Sequence, residues 1–280
     1  MLRLNDTVAI VIFYNPTQEQ IRNAVDLSDL MDVIIVDNSI GVINKIPGRE
    51  SIVTYIPLIV NKGIAYAQNV GIEIAIEKGY KYILFKDQDS TFDNESILAL
   101  YEEYKAVSAL DHNIAAMGPV IINNAQGKEY KNTLNKDDIT KQVSTIISSG
   151  MLTESEKLMQ IGFMEKELFI DNVDHEWCWR AMANGFSIYM TRKSVLYHSV
   201  GSSTKRILDM QIIKSAPFRS YYKYRNNIWL IKRKYVPNLW KVKTLINMLL
   251  QYVIYIVCFK EYGLEYLKHA SKGIKDGIIL

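Results

Sequence analysis

The sequence has few cysteines, and their arrangement indicates neither a disulfide framework nor a zinc site. Its two cysteines, Cys178 and Cys258, lie far apart, without the spacing of metal ligands. Residues 1–7 lead directly into an apolar run and lack the layout of a secretory signal peptide. From these two absences we expect a reducing, cytoplasmic setting.

Strong net charge and long hydrophobic runs are also missing. The net charge of +3 is too small to indicate a nucleic-acid partner by itself, and 49% apolar residues is an ordinary globular balance. Thr244 to Phe259 is mostly apolar, but it is short for a membrane span and contains Asn247 and Gln251. A length of 280 residues allows one large domain or two small ones.

Short apolar runs rich in β-branched residues alternate with helical patterns in the first part of the chain. Buried strands are predicted at Val8–Phe13, Asp32–Val36, Ser51–Ile56 and Tyr82–Phe85, and a helix over Ile64–Glu77 closed by Gly79. Continuous apolar strands that alternate with helices predict an α/β fold whose parallel sheet is covered on both faces. Ligands of such sheets bind beyond the carboxyl ends of the strands.

Polar residues follow the predicted strands. The clusters are Asn15, Asp37–Asn38, Asn61–Gly63 and Asp87–Asp89. Because the carboxyl ends of parallel strands share one edge, we expect all of them to line one crevice. The plainer interpretation is that they are turn residues and helix starters. Asn69 and Gly71 are poor helix formers within the predicted helix, which indicates a side-chain contact or a close backbone approach.

The cluster Asp87-Gln88-Asp89 carries the clearest chemical signal. Residues i and i+2 of an extended segment point the same way, so both carboxylates can face one spot. Carboxylate oxygens are preferred ligands of Mg²⁺ and Mn²⁺, which keep open positions for substrate phosphates. The alternative is a solvated turn. His198 follows the later predicted strand Ser194–Tyr197 and is a candidate ligand of the same ion, although a lone histidine is more often structural.

A second group of residues surrounds the helix predicted from Asp174 to Gly185. Asp171 and Asp174 lie at its start, where the helix dipole favours carboxylates, so a structural cap is the plain interpretation. The functional interpretation makes Asp174 a general base for a substrate hydroxyl. Glu176 fits a surface pair with Arg180. The neighbouring tryptophans, Trp177 and Trp179, fit either a core or a wall that stacks on a sugar.

The last quarter of the chain is basic and aromatic. Between Met210 and Lys260 there is no Asp or Glu, whereas lysines and arginines are interleaved with tyrosines and tryptophans. Basic amphipathic helices with interfacial aromatic residues favour an anionic membrane surface. Helices packed on the rest of the protein are the second interpretation, and RNA binding ranks third. We therefore expect a membrane partner and no nucleic acid.

Taken together, these motifs resemble the inverting family 2 glycosyltransferases of GT-A fold, from Val8 to about Gly201. The matching segments are residues 8–15, 35–38, 61–72, 87–89 and 169–180, followed by His198. Residues 87–90, 173–178, 221–226 and 272–277 are also similar to bacterial rhamnosyltransferases, which use dTDP-β-L-rhamnose in surface polysaccharide assembly. Gln68 departs from the pattern, since relatives often carry Arg there, in contact with phosphate.

The resemblance implies an architecture and an activity. Residues 1–205 would form a GT-A domain with a Rossmann-like, mostly parallel sheet, and residues 206–280 a helical, membrane-associating region. The activity would be metal-dependent transfer of L-rhamnose to a hydroxyl of a glycan or lipid-linked acceptor, at the inner face of the cell membrane. Alternatives are a UDP-galactofuranose or UDP-hexose donor, another nucleotidyl or phosphoryl transferase, and a non-catalytic membrane-bound partner. The oligomeric state stays open.

The resemblance also implies roles for single residues. Asp174 would be the catalytic base, and Asp89 and His198 would hold Mg²⁺ or Mn²⁺. The residues that bind the dTDP- or UDP-linked donor would be Asn15, Asp37, Asn61, Gly63, Asn69, Asp87 and Gln88. Of these, Asp37 would contact the pyrimidine ring and Asp87 the ribose or the metal-bound nucleotide. The acceptor-side residues would be Asp171, Glu176 and Trp177.

Overall fold

A computed structural model describes residues 3–42, 44, 46, 52–123, 127–129, 134–135, 137–198, 204–207, 210–213, 217–258 and 263–280. The strands are β1 (Leu4–Phe13), β2 (Met31–Asp37), β3 (Val53–Pro57), β4 (Tyr82–Asp87), β5 (Ser90–Thr91), β6 (Ile114–Asn123), β7 (Lys128–Glu129), β8 (Thr140–Val143), β9 (Leu152–Glu154), β10 (Ser187–His198), β11 (Thr204–Ile207) and β12 (Met210–Ile213). The helices are α1 (Gln18–Asp26), α2 (Ile64–Glu77), α3 (Asn94–Ser108), α4 (Ser155–Ile161), α5 (Val173–Ala183), α6 (Pro217–Ile231), α7 (Asn238–Cys258) and α8 (Gly263–Ile279), with 3-10 turns at Leu27–Asp29 and Lys166–Leu168.

The main sheet runs in the order β3-β2-β1-β4-β9-β6-β10-β5 within the described residues, with β7 on β6 and β8 on β10. The strands β3, β2, β1 and β4 are parallel, and β6 is parallel to β10. The short β9 is antiparallel between β4 and β6. The predicted α/β fold with a mostly parallel sheet is confirmed. The chain leaves β1 first towards β2 and later towards β4, so a ligand crevice opens between β1 and β4.

β1 has no polar face in its second half because helices cover both sides of the sheet. Val8 and Ile10 pack on the face covered by α2 and α5. Ala9, Val11 and Phe13 pack on the face covered by α1 and α3. A strand buried on both sides reads as a continuous apolar run, which is the pattern seen in the sequence.

α2 spans the predicted residues and lies close to β1. A Cβ atom at Gly71 would lie 2.6 Å from Ile10 Cγ2, so only glycine allows this approach. The Asn69 side chain donates to Met164 O and accepts from Met164 N–H, both at 2.9 Å. The expected close approach and side-chain contact within this helix are therefore confirmed.

Two expectations about strands are wrong. Residues 145–147 have no regular structure and residues 148–150 form a turn, where a strand was predicted from Thr145 to Gly150. Ile146 and Ile147 still pack into the two cores, so apolar β-branched residues here serve burial without a ladder. The predicted pair Phe186–Met190 and Ser194–Tyr197 is one strand, β10, with a register shift between Thr191 and Val195.

The C-terminal helices pack on one another and on the main core. Trp229 and Leu230 of α6 belong to the core around α2 and α5. A Cβ atom at Gly273 would lie 2.3 Å from Tyr221 O, and one at Gly277 would lie 2.6 Å from Arg225 O. These two glycines therefore let α8 cross α6 at backbone distance. The predicted boundary at residue 205 stays a prediction.

α7 is apolar on the side that faces away from α6 and α8. Its buried residues Thr244, Met248 and Tyr255 face the protein. Exposed apolar side chains recur every three or four positions on the outer side: Leu239, Val242, Ile246, Leu249, Val253 and Ile256. Among the described residues, no helix is both long and apolar enough to cross a bilayer.

Candidate functional site

Three titratable side chains meet beyond the ends of β4 and β10. Asp87 is the last residue of β4, Asp89 follows it, and His198 ends β10. One potential ligand atom from each of the three lies within 4.8 Å of the others, and His198 Nδ1 is 3.7 Å from Asp89 Oδ1. Two carboxylates and an imidazole suit Mg²⁺ or Mn²⁺. The residues present therefore fit a divalent cation.

The electrostatics of Asp87 also fit a cation. Burial raises the pKa of Asp87 to about 6, with the carboxylates of Asp89 and Asp174 adding to the rise and His198 and Lys86 opposing it. Lys86 is itself buried, which lowers its pKa to about 8. Several carboxylates thus share a poorly solvated region, and a bound cation would relieve their repulsion.

Asp174 lies beside this cluster. It occupies the first turn of α5, where its carboxylate accepts hydrogen bonds from Ser148 N–H at 3.3 Å and His175 N–H at 2.8 Å. Its charge contributes to the raised pKa of Asp87, so the two carboxylates are close enough to interact. The proposed base and the proposed metal ligands therefore lie around one region of the molecule.

A turn of small residues connects these groups, and the sequence gave no role to it. Asp87 N–H donates to Ser149 Oγ at 3.1 Å, while the preceding residue, Ser148, contacts Asp174. Ser149 Oγ lies 2.8 Å from Ser90 Oγ, which lies 2.8 Å from His198 Nδ1. The available signal was the pair of serines before Gly150, whose φ of 84° indicates a turn.

Asp37 lies at the end of β2 with its carboxylate already bonded within the protein. Oδ1 accepts from Ser39 N–H at 3.0 Å, and Oδ2 accepts from Tyr55 OH at 2.7 Å and from Asn44 Nδ2. Burial, followed by the hydrogen bond to Asp37, raises the pKa of Tyr55 to about 12. The structure gives Asp37 a role in holding the loop after β2, and its contact with a pyrimidine ring stays a prediction.

The turn before α2 is built by amides and one glycine. Asn38 Nδ2 donates to Asn61 Oδ1 at 2.9 Å, and Gly63 N–H donates to the same oxygen at 3.0 Å. Gly63 has a φ of 86°, and a Cβ atom there would lie 2.6 Å from Phe169 Cδ2 and Phe169 O. Glycine is therefore required for the contact between α2 and the segment before α5.

Gln88 and Asn15 join the ends of β4 and β1. Gln88 accepts from Tyr14 N–H at 2.8 Å and donates to Tyr14 O at 3.1 Å, which copies one rung of a strand ladder. Asn15 has a φ of 48°, and its N–H donates to Ser39 Oγ at 2.8 Å. Both residues line the end of β1 at the predicted crevice, and their contact with a nucleotide stays a prediction.

The predicted acceptor-side residues do not share one environment. Trp177 is fully buried and donates from Nε1 to Gly162 O at 2.9 Å. Glu176 is fully buried, with Oε1 bonded to Arg180 Nε at 2.8 Å and to Tyr235 OH at 2.7 Å. The structure thus puts both side chains in the interior and away from an acceptor. The expected surface pair of Glu176 and Arg180 forms, but it is buried.

Asp171 and the residues around it adopt strained backbone conformations. Phe169, Asp171 and Asn172 have φ values of 64°, 67° and 64°, which side chains other than glycine rarely adopt. Such strain persists where the surroundings enforce it, and it clusters at functional sites. Asp171 Oδ1 accepts from Arg219 Nη2 at 2.7 Å, which anchors the segment to α6.

α6 holds this strained segment in place. The Nδ2 atom of Asn226, which is fully buried, lies 2.8 Å from Leu168 O, 2.7 Å from Ile170 O and 3.1 Å from Asp171 O. Asn227 Oδ1 accepts from Asn172 Nδ2 at 3.0 Å. The basic, aromatic segment that the sequence assigned to a membrane surface thus also supports the start of α5.

Known proteins match this chain in sequence and in fold. The family model described as Glycosyl transferase family 2 matches residues 8–162. The chain is 32% identical to the dTDP-rhamnosyl transferase RfbF of Shigella flexneri over 96% of this chain and 94% of that protein. Its fold is similar to S. aureus TarS, with a TM-score of 0.61 at 15% identity over 96% of this chain and 49% of that one.

A third likeness is to GalNAc-T7 solved with UDP, GalNAc and Mn²⁺. Its TM-score is 0.55 at 14% identity, over 79% of this chain and 50% of that one. The chain therefore spans about half the length of these two structures. At such identities the likeness establishes a shared GT-A-like fold and nothing about substrates.

Proposed function

The chain belongs to glycosyl transferase family 2, and from this membership we propose that it transfers L-rhamnose from dTDP-β-L-rhamnose to a hydroxyl group of a glycan acceptor. The observation that carries the proposal is the meeting of Asp87, Asp89 and His198 beside Asp174. The choice of donor is supported by the similarity to a dTDP-rhamnosyl transferase over nearly the whole chain. The enzyme is a glycosyltransferase, and the donor and acceptor are the proposed parts.

In the proposed reaction, Asp89 and His198 hold a divalent cation, and Asp87 lies against the same site. When bound, the cation supplies charge neutralisation for the diphosphate of the donor. The excess of carboxylates around Asp87 is the feature that suits such a cation.

The acceptor is activated from the opposite side in this proposal. Asp174 takes the proton of the acceptor hydroxyl, and the oxygen attacks the anomeric carbon of the sugar as the bond to the diphosphate oxygen breaks. The leaving nucleoside diphosphate keeps the electron pair of that bond. In-line attack inverts the anomeric configuration. Hydrogen bonds from Ser148 and His175 backbone N–H groups orient the Asp174 carboxylate.

A panel of sugar nucleotides tested for thermal stabilisation with Mn²⁺ checks the donor. dTDP-rhamnose at about 100 times its Kd should raise the Tm by roughly 5 °C or more. Asp89→Ala should lose the part of this shift that depends on Mn²⁺, whereas Asp26→Ala, which changes an exposed carboxylate of α1, should keep it. Stronger stabilisation by a UDP-sugar would contradict the rhamnosyl donor, and no metal-dependent shift with any nucleotide would contradict the metal-assisted site.

We also propose that the outer face of α7 lies on an anionic membrane surface. The face is a continuous apolar stripe on a helix whose charged residues, Lys241 and Lys243, are both basic. Exposed apolar patches of this kind mark interaction surfaces. A second copy of the chain would bring like charges together, whereas anionic lipid head groups complement them. A surface location would bring α6 and the acceptor side close to lipid-linked acceptors.

Vesicle flotation tests this surface. The full chain should float with phosphatidylglycerol vesicles and bind phosphatidylcholine vesicles about tenfold more weakly, since each basic residue contributes about 1 kcal/mol near an anionic surface. The triple change Ile246→Asp, Leu249→Asp and Val253→Asp should abolish flotation. Leu110→Asp, at an exposed leucine after α3, is the matched control. A dimer in lipid-free buffer that the triple change dissociates would instead assign the face to a second copy.

A further inference from the structure

We propose that Ser90 and Ser149 are positioning residues that hold the His198 ring through Nδ1, so that Nε2 is the nitrogen left to bind the divalent cation. The inference rests on the proposed function, because it assumes that Asp89 and His198 hold a cation. It assigns work to two serines whose chemistry the motif comparison does not use.

The hydrogen-bond geometry is the first support. Ser90 Oγ lies 2.8 Å from His198 Nδ1 and 2.8 Å from Ser149 Oγ. Ser149 Oγ in turn accepts from Asp87 N–H at 3.1 Å. The two hydroxyls therefore link the backbone of one carboxylate residue to the ring of the imidazole ligand.

Burial and backbone pairing are the second support. Ser90 is 3% exposed and Ser149 is 1% exposed, so bulk water competes little for either hydroxyl. Ser90 and His198 are paired residues of the antiparallel strands β5 and β10, which fixes the distance between their backbones. The ring of His198 is thus held by a rigid neighbour, and its orientation does not depend on solvent.

The chemistry of imidazole then decides which nitrogen is free. A neutral imidazole has one N–H group and one lone pair, on different nitrogens. If Nε2 offers its lone pair to the cation, Nδ1 carries the hydrogen and donates it to Ser90 Oγ. Ser90 can pass its own hydrogen to Ser149 Oγ, which has a second lone pair because Asp87 N–H occupies only one. Such partners fix the tautomer and the ring orientation of metal-binding histidines.

Nitrogen-15 NMR of the full chain tests the assignment directly. The signals are recorded at about pH 8, where an ordinary histidine is neutral, with and without the diamagnetic ion Mg²⁺, and His198→Gln identifies those of His198. We expect Nδ1 to be protonated and Nε2 to shift when Mg²⁺ is added. A Mg²⁺-dependent change of Nδ1 to the unprotonated, ligated state overturns the inference and leaves the proposed metal site standing. Absence of Mg²⁺ and Mn²⁺ binding by calorimetry would instead overturn the proposed function.

Two variants test the serines themselves. Ser90→Ala and Ser149→Ala should each weaken Mn²⁺ affinity by about 10-fold to 100-fold, the usual effect of removing a partner of a metal-binding histidine. Ser155→Ala is the matched control, because Ser155 Oγ is also buried and donates to Tyr80 O at 2.6 Å, before the start of β4. Calorimetry with Mn²⁺ is run on folded protein, as judged by circular dichroism. Affinities equal to that of the control in both variants overturn the inference.

Discussion

Replacing Asp174 by Asn should lower kcat by about 10²–10⁴-fold and leave Mn²⁺-dependent nucleotide binding intact. Asparagine keeps the shape of the side chain and still accepts a hydrogen bond from Ser148 N–H, but it cannot take the proton of an acceptor hydroxyl. The loss should therefore fall on turnover rather than on donor affinity. Initial rates with a rhamnosyl donor measure the first quantity, and calorimetry with the nucleotide measures the second.

Asp171→Asn is the matched control for this prediction. Asp171 also lies at the start of α5, but its carboxylate is engaged by Arg219 rather than turned towards the metal ligands. Its replacement should weaken the contact with α6 and reduce kcat far less than Asp174→Asn. Equal losses in the two variants would mean that the start of α5 is merely sensitive to charge, and undiminished turnover in Asp174→Asn would remove that residue from the role of base.

Asn226→Leu should destabilise the protein by about 3 kcal/mol or more. Leucine fills a similar volume but cannot donate, so the buried carbonyls of Leu168, Ile170 and Asp171 lose their shared donor, and each such loss costs about 1–3 kcal/mol. The segment would then relax from its positive φ values, and Asp174 would lose its fixed position. Urea denaturation gives the free energy of unfolding, and kcat measured well below the Tm gives the effect on the site.

Asn227→Leu is the control for the second prediction. Asn227 is the next residue of α6 and is also buried, but its side chain accepts a single hydrogen bond, from Asn172. We expect a loss of about 1 kcal/mol and little change in kcat for the folded protein. If Asn226→Leu were no more damaging than Asn227→Leu, the strained segment would be held by its own packing and not by the amide.

Local pattern was enough to predict the parallel strands and the meeting of the polar residues at their ends. Asp87, Asp89 and His198 follow buried strands, and the topology of an α/β sheet brings such ends to one edge. Their contact therefore depends on few long-range details. The same reasoning found the unusual residues of α2, because asparagine and glycine in a helix need a reason to be there.

Residues whose role depends on distant partners were beyond the reach of pattern. Whether Trp177 faces a sugar or the core is decided by the carbonyl of Gly162, and the environment of Glu176 by Tyr235. Ser149 contacts the site only because an irregular segment passes beside β4, which no periodicity encodes. Asn226 had the appearance of one polar residue in a basic helix, although it is the donor on which the segment before α5 depends.

The contact between α2 and the segment before α5 bears on how the enzyme might be re-engineered. Ile64 N–H donates to Phe169 O at 2.7 Å, and Gly63 makes room for the Phe169 ring. The donor half and the acceptor half are thus joined through main chain, and no variable side chain sets their spacing. Libraries that alter sugar preference can therefore vary the crevice freely, provided that Gly63 is left untouched as the fixed joint between the halves.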